Sequence, residues 1–433
     1  MEQIYTFHKT AHGYGHIQKN QPCEDASGSF QEEDGSFSIA VVADGHGQKR
    51  SFRSRIGSRL AVDTALDCLK DAANAILSSP EESASFYSAV LERGHERQIR
   101  FRQLTDTILS QWNDRIWAYH AENLPTQEEL GEYAEFYEEE NRIPQIYGTT
   151  LIAALWLPRC LVLIQQGDGR CCVFYADGTY DQPIPWDDRC EGNRTSSMCD
   201  ADAADRVRFC VIDLEEKNVA ACYLCTDGVE DAYRNQEGAY VFCKALSCDF
   251  QEKEELFDSY LEEMLPEFSA LGRFGQYGSL DDVSVAGIIN TELLSGLGER
   301  YQKDIQCFQL GEEILAKEAA LQSKKRKHGI LQKRMEAAEA ACRDYLQRHP
   351  APLESPEEPE TAAWFGKKLL DGLFEVFSDP EPAGEETVKH RLEDEAAAAK
   401  KEFEDYDVQY QEIASQIRML QEMLASIMQN DTE

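Results

Sequence analysis

Apolar residues follow two regimes along the 433-residue chain. Up to about residue 290, short apolar runs alternate with stretches of helical spacing. Residues 36–43 form a β-rich run that stops at Asp44-Gly45. Residues 51–78 place Ile56, Leu60, Val62, Ala65, Leu69, Ala73 and Ile76 at helical intervals, and a second helical stretch covers 84–120. The acidic segment 121–145 has the character of a surface excursion. Strand patterns then dominate: 149–157, 160–165 and 171–175, with Asp177-Gly178 as a hairpin turn after the third, followed by 206–214, 219–225 and 282–289. Strands separated by long helical inserts predict an α/β fold, an antiparallel β-sandwich flanked by helices. No repeat of 20–50 residues is present.

Beyond residue 290 the period becomes that of a coiled coil. Leu392, Ala396, Ala399, Phe403, Tyr406, Tyr410, Ile413, Ile417, Leu420, Leu424 and Ile427 follow one another in steps of four and three. Leu310, Ile314, Lys317, Leu321, Lys324, His328, Leu331, Met335, Ala338, Cys342 and Tyr345 repeat those steps, with Lys317, Lys324 and His328 interrupting the apolar seam. Two helices of roughly 40 residues would each be about 60 Å long. Their similar lengths favour an antiparallel α-helical coiled-coil hairpin within one chain, with a parallel homodimer as the competing arrangement. The chain thus divides into a domain over 1–290 and a helical arm over 300–433. Between the two helices, Trp364, Phe365, Leu369, Leu373, Phe374 and Phe377 can share one helical face. This amphipathic segment, 361–378, is either a docking helix for a partner protein or membrane surface, or a helix folded back on the rod or main domain.

Charge narrows the functions available. The formal net charge is -37. Binding nucleic acid through a broad basic face is excluded by that balance, and so is docking on anionic lipid by charge alone. An acidic chain suits a cation site or a basic partner. The Met1 end lacks a positive stretch followed by an apolar run, and no apolar run spans a bilayer, so the cytoplasm is the expected location. Most of the 14 Cys residues are then expected as reduced thiols. Cys222 and Cys225 form a CxxC, but inside a strand residues three apart point to opposite faces, which favours burial over zinc or redox chemistry.

Four acidic points carry candidate chemistry: Glu24-Asp25 after Pro22, Asp44-Gly45-His46-Gly47 and Thr226-Asp227-Gly228 where apolar strands end, and Asp281-Asp282 where one begins. Singly, each is an ordinary turn dipeptide. Strand ends, however, deliver carboxylates to a common rim, where they repel one another unless a cation intervenes. Hard divalent ions such as Mg2+ or Mn2+ prefer such oxygen ligands.

In order along the chain, these points resemble the motifs of the bacterial type of the PPM, or PP2C-like, family of metal-dependent protein serine/threonine phosphatases. The resemblance covers residues 1–290. It rests on Cys23-Glu24-Asp25-Ala26, Val41-Val42-Ala43-Asp44-Gly45-His46-Gly47, Tyr147-Gly148-Thr149-Thr150, Gly167-Asp168-Gly169-Arg170, Cys225-Thr226-Asp227-Gly228-Val229 and Asp281-Asp282-Val283-Ser284. It implies hydrolysis of phosphoserine or phosphothreonine on proteins by a metal-bridging hydroxide, with two or more Mn2+ or Mg2+ ions per site. By the same resemblance Asp44 bridges two metals, the Gly45 carbonyl helps bind one, and Asp227 and Asp281 hold the first. Glu24 and Asp25 act around the second, and His46 is the general acid. Thr150 and Asp168 read as structural, because strand starts and turns favour such residues. Asp282 stands where relatives often have Asn, adding a carboxylate to the rim. The family's phosphate-binding Arg has no counterpart in residues 16–20, so His16 or Lys19 is left to take that role, without the bidentate fork of Arg. The arm would position the enzyme on a partner kinase or scaffold. The alternative is a catalytically inactive PP2C-like scaffold acting through its coiled coil.

Overall fold

The computed structural model describes residues 4–92, 94–190, 194–233, 235–274, 277–350 and 384–429. Ten strands form two five-stranded antiparallel sheets. In chain order the strands are β1 (Ile4–Ala11), β2 (Ala26–Gln31), β3 (Ser38–Ala43), β4 (Leu151–Trp156), β5 (Cys160–Gln166), β6 (Arg170–Tyr175), β7 (Tyr180–Asp181), β8 (Arg208–Asp213), β9 (Val219–Cys225) and β10 (Val283–Asn290). One sheet has the order β1-β10-β9-β6-β7 and the other β2-β3-β4-β5-β8.

Seven longer helices accompany them: α1 (Ser54–Leu77), α2 (Pro80–Leu91), α3 (His95–Glu122), α4 (Glu237–Lys253), α5 (Phe257–Leu271), α6 (Gly298–Arg348) and α7 (Glu385–Gln429). Short turns of helix are named below by their residues.

The strand period sorts side chains into layers. Ala40, Val42, Ile152, Ala154, Leu163, Cys171, Cys222 and Leu224 meet between the sheets. Their alternates Ile39, Val41, Ala43, Leu151, Ala153 and Leu155 face the opposite way, toward Val62, Ala65, Leu69, Ile108 and Trp112 of α1 and α3. On the far side, Phe7, Cys172, Phe174, Tyr223, Cys225 and Val285 pack against Phe242, Leu246, Phe257 and Phe268 of α4 and α5. Helices therefore cover both outer faces of the sandwich. Strands β3, β4, β5, β6, β9 and β10 are buried along their whole length, which is why those runs were so apolar in sequence. Cys222 and Cys225 do fall on opposite faces of β9. The cysteines form no disulfide among the described residues.

Several boundaries differ from the sequence reading. The helical stretch 84–120 is two helices. Ser79 caps α2, accepting from the Glu82 N–H, with Pro80 in its first turn, and Gly94 caps α3. The acidic segment 121–145 is only partly a surface excursion: its Tyr137 and Ile143, with Ile146 and Tyr147 just beyond it, are buried against the α1–α3 core. β1 and β2 were not foreseen, because neither holds an apolar run: polar and apolar residues are equally mixed in β1, and only Ala26 and Phe30 are apolar in β2.

The chain separates into two compact units, Met1–Gln309 and Leu310–Glu433, and the division falls within α6. The root of α6 belongs to the first unit. Tyr301 is fully buried among aromatic side chains, and Lys244 of α4 donates to Asp304 at 2.8 Å. In the second unit α6 and α7 pair antiparallel. Leu310 and Ile314 pack with Ile417 and Leu420 at one end, and Tyr345 donates to the Glu385 carbonyl at the other. The amphipathic segment 361–378 lies outside the described residues. None of the described helices is long and apolar enough to cross a membrane.

Where α1 crosses the 147 turn, only glycine fits: a Cβ on Gly57 would sit 1.8 Å from the Tyr147 carbonyl oxygen. Gly329, in the middle of α6, faces open space. Chemical denaturation should therefore show Gly57→Ala losing about 3 kcal/mol, while Gly329→Ala gains about 0.5–1 kcal/mol by removing a flexible helical residue.

Candidate active site

Strand ends deliver the acidic residues to one cleft. Asp44 follows β3, and its backbone is pinned from both sides. Its N–H donates to Thr150 Oγ1 at 3.0 Å, and its carbonyl accepts from the Thr150 N–H and the Thr149 hydroxyl, each at 2.8 Å. Asp227 follows β9 and opens a single helical turn, Asp227–Glu230. Asp168 lies in the turn between β5 and β6, its Oδ1 accepting from Thr195 at 2.7 Å. One carboxylate oxygen from each of Asp44, Asp168 and Asp227 lies within 4.8 Å of the other two.

A second group adjoins the first. Asp281 and Asp282 precede β10, and with His16 their ligand atoms also fall within 4.8 Å of one another. Asp282 uses both oxygens to gather distant segments. It accepts from the Gly13 N–H at 2.6 Å and from the Glu24 N–H at 2.7 Å. His16 Nδ1 is 3.1 Å from Asp282, yet that nitrogen lacks a well-aligned hydrogen bond, so the contact is electrostatic. Glu24 and Asp25 are buried. The Ser54 hydroxyl donates to Glu24 Oε2 and the Thr226 hydroxyl to Asp25 Oδ2, each at 2.7 Å.

The cleft encloses ≈ 700 Å³ and is lined by His16, Asp44, Gly45, His46, Asp227, Asp281 and Asp282 from the sequence-derived set. Lys19 is exposed and is not part of that lining. Asp168, read as a structural turn residue, stands within the carboxylate cluster as well as accepting from Thr195. The same rule that singled out Asp44 and Asp227, an Asp at the end of an apolar strand, applies to it too. Sequence reasoning also missed Arg170, Trp186, Glu230 and Asp231. Arg170 makes a bidentate pair with Glu230 and lies with its guanidinium 4.4 Å from the Trp186 ring centroid.

Electrostatics show what the cleft requires. Burial, and then the neighbouring Asp227, Asp25 and Asp168, push the Asp44 carboxyl well above its ordinary value. Asp227 is raised in the same way, by burial and then by Asp168 and Asp25. Asp25 is raised to about 7 by burial and by Asp282, against the hydrogen bond from Thr226. Glu24 is raised by burial, partly offset by Ser54. These groups cannot all be ionised at neutral pH unless a cation joins them. Their all-oxygen donor set fits hard divalent cations. His46 is lowered to about 4 by burial, against the pull of Asp168, so without metal the ring is neutral at pH 7. The His46 backbone N–H donates to the Gly148 carbonyl at 3.2 Å, and its ring lies where a Cβ on Gly148 would approach within 2.7 Å.

Carboxylates gathered at one rim of a helix-flanked antiparallel sandwich form a donor set suited to divalent metal. The sequence profile of the protein phosphatase 2C family matches residues 12–266, and the chain belongs to that family. No curated protein sequence matches it. Among solved structures it is similar to the serine/threonine phosphatase Stp1 of Staphylococcus aureus, with 18% identity over 67% of this chain and 95% of that one, at a TM-score of 0.38. The S. agalactiae serine/threonine phosphatase aligns at 17% identity over 66% of this chain and 99% of that one, with a TM-score of 0.40. The catalytic domain of the phosphatase PstP, solved with two manganese ions, aligns at 17% identity over 66% of this chain and 97% of that one, with a TM-score of 0.39.

The raised carboxylates fix the sign of a pH effect. A folded-state acid pKa above the unfolded one means that the native protein holds protons the unfolded chain has released. For Asp25 that window runs from 3.8 to about 7. Metal-free protein should lose stability as pH rises across it. Thermal melts with a chelator should give a lower midpoint at pH 7.5 than at pH 5, and added Mn2+ should reverse the loss at pH 7.5. Asp44→Asn should raise the metal-free midpoint at pH 7.5 and abolish the Mn2+ response.

Proposed function

We propose that the protein hydrolyses phosphoserine and phosphothreonine on other proteins with two or more Mn2+ or Mg2+ ions. The observation that carries this reading is the approach of Asp44, Asp168 and Asp227 in a cleft shared with Asp281 and Asp282. Asp44, Asp227 and Asp281, with the Gly45 carbonyl, would hold one centre, and Glu24 and Asp25 would support a second. Metal bound there supplies an activated water and neutralises charge on the phosphoryl group. The protein's own part is to hold these ligands in place and to exclude bulk water around them. His46, seated against Gly148 at the cleft wall, is the candidate proton donor to the leaving oxygen; because its ring is neutral in the metal-free cleft, that role requires it to take up a proton when substrate binds. His16 is held by two carboxylates and Lys19 stands outside the cleft lining. Phosphate capture therefore falls mainly to metal, with no arginine fork from the 16–20 segment. A retained set of carboxylates at such electrostatic cost disfavours the inactive-scaffold reading.

We also infer that the arm positions the enzyme on a kinase or scaffold partner. The free thiols suit a reducing compartment such as the cytoplasm.

With Mn2+ titrated against para-nitrophenyl phosphate, Asp44→Ala and Asp227→Ala should each lose at least about a hundredfold in kcat/KM; near-wild-type rates in either would sink the proposal. His46→Gln should still bind Mn2+. It should lose about a hundredfold on a phosphothreonine peptide, whose alkoxide leaving group needs a proton, and far less on the aryl phosphate. Truncation bears on the arm. Because Tyr301 and Asp304 belong to the first unit's core, a chain ending at Gln309 should keep the aryl phosphatase rate, whereas one ending at residue 299 should lose stability.

A further inference from the structure

Five large apolar side chains stand exposed on two short segments beside the cleft. Tyr14 and Ile17 lie on the helical turn Tyr14–Gln18, Leu271 ends α5, and Tyr277 and Leu280 lie between α5 and β10. The two segments are bound together. The Tyr14 N–H donates to Ser269 Oγ at 3.0 Å and the Gly15 N–H to the Leu280 carbonyl at 2.8 Å, while Leu280 donates its own N–H to Ser269. The same two segments carry the cleft's second acidic group, since His16 precedes Ile17 and Asp281 follows Leu280. Patch and cleft are therefore continuous along the backbone.

Leu280 adds a separate observation. Its φ is 66°, in the left-handed region, and its side chain is 47% exposed. A leucine held there carries a steric cost that glycine would not. Burial of the side chain within this chain does not offset that cost. Ile17 and Tyr277, 54% and 82% exposed, are likewise uncovered. Isolated exposed leucines need no explanation, but a cluster that includes a strained one at the mouth of a site does.

We propose that this patch receives an apolar side chain of the phosphoprotein substrate, next to the phosphoresidue that enters the cleft. The proposal rests on the phosphatase reading of the cleft and extends it to substrate choice. The occupant is a substrate segment because any chain that delivers a phosphoresidue to Asp44 and Asp281 must run onward past the cleft's rim, where these side chains stand. Covering a leucine on such a surface favours binding by about tenfold or somewhat more.

The test uses the full chain with Mn2+ and a set of phosphothreonine peptides in which leucine replaces serine at each position within four residues of the phosphothreonine. Peptide kcat/KM is compared with that for para-nitrophenyl phosphate, which is too small to reach the patch. Peptide Kd is measured in parallel by fluorescence anisotropy. Wild type should prefer leucine by about tenfold at one or two positions. Ile17→Ser and Leu280→Gly should erase that preference while hydrolysing the aryl phosphate normally, and Leu280→Gly should melt no lower than wild type because it relieves the left-handed leucine. Equal kcat/KM across the peptide set in wild type overturns the proposal. So does an equal loss on peptide and aryl phosphate in both variants. A wild-type dimer that Ile17→Ser dissociates without changing peptide preference would assign the patch to a second copy instead. Absence of all hydrolysis with a retained Kd preference would refute the phosphatase reading and leave the docking surface standing.

Discussion

Mutual repulsion among carboxylates is the constraint around which the domain is arranged. Asp44, Asp168 and Asp227 approach within 4.8 Å, with Asp25 and Asp281 close enough to raise the proton affinity of Asp44 and Asp227 further. Left to themselves, such groups would move apart. They stay because each is fastened through its backbone or by a neutral donor: Asp44 by Thr149 and Thr150, Asp25 by Thr226, Asp168 by Thr195. Rigid strands behind them take up the strain, and a divalent cation is the natural means of relieving it. Fold stability and the ability to bind metal are thus opposed in the empty cleft and aligned in the filled one.

Much of this was legible in sequence. An apolar run that stops abruptly at Asp-Gly marks a buried strand delivering a carboxylate to a sheet rim, and Asp44 and Asp227 were found in that way. Asp168 was read as structural because turns favour such residues, although it too follows an apolar strand; its place among the carboxylates shows only in space. Arg170 and Glu230 are 60 residues apart, so their pairing carries no local signature. β1 and β2 were hidden because much of their stability comes from neighbouring strands and not from their own composition. Lys244 is equally opaque: a lysine in α4 is expected at the surface, yet it is buried against Tyr180 and Asp304.

The arm shows the opposite balance, since nearly all of its logic is local. Heptads located both helices, and the residues that broke the seam turn out to be its register marks. Lys317 donates to Gln416, Lys324 lies over the Tyr406 ring, and His328 bonds Asp407 while stacking on Tyr410. Sliding one helix by a turn would strand each of these groups against apolar neighbours, so polar interruptions that weaken the seam also select one alignment. The hydrogen bond from His328, and then that from Gln411, hold the Asp407 carboxyl below its usual range.

The position of β10 governs the order in which the first unit is assembled. It lies between β1 and β9, pairing Ile4 with Asn290 at one end of the register. During synthesis the emerging chain can join β2, β3, β4, β5 and β8 into one sheet, whereas β1 has no partner in its own sheet until residues 283–290 leave the ribosome. Asp281 and Asp282 arrive in the same stretch, and with them the bonds to Gly13 and Glu24 that close the cleft. Contacts this distant in sequence are slow to form. Competence for metal is therefore among the last properties the nascent domain acquires, and a ribosome that stalls before residue 280 leaves an apolar strand edge exposed and no site.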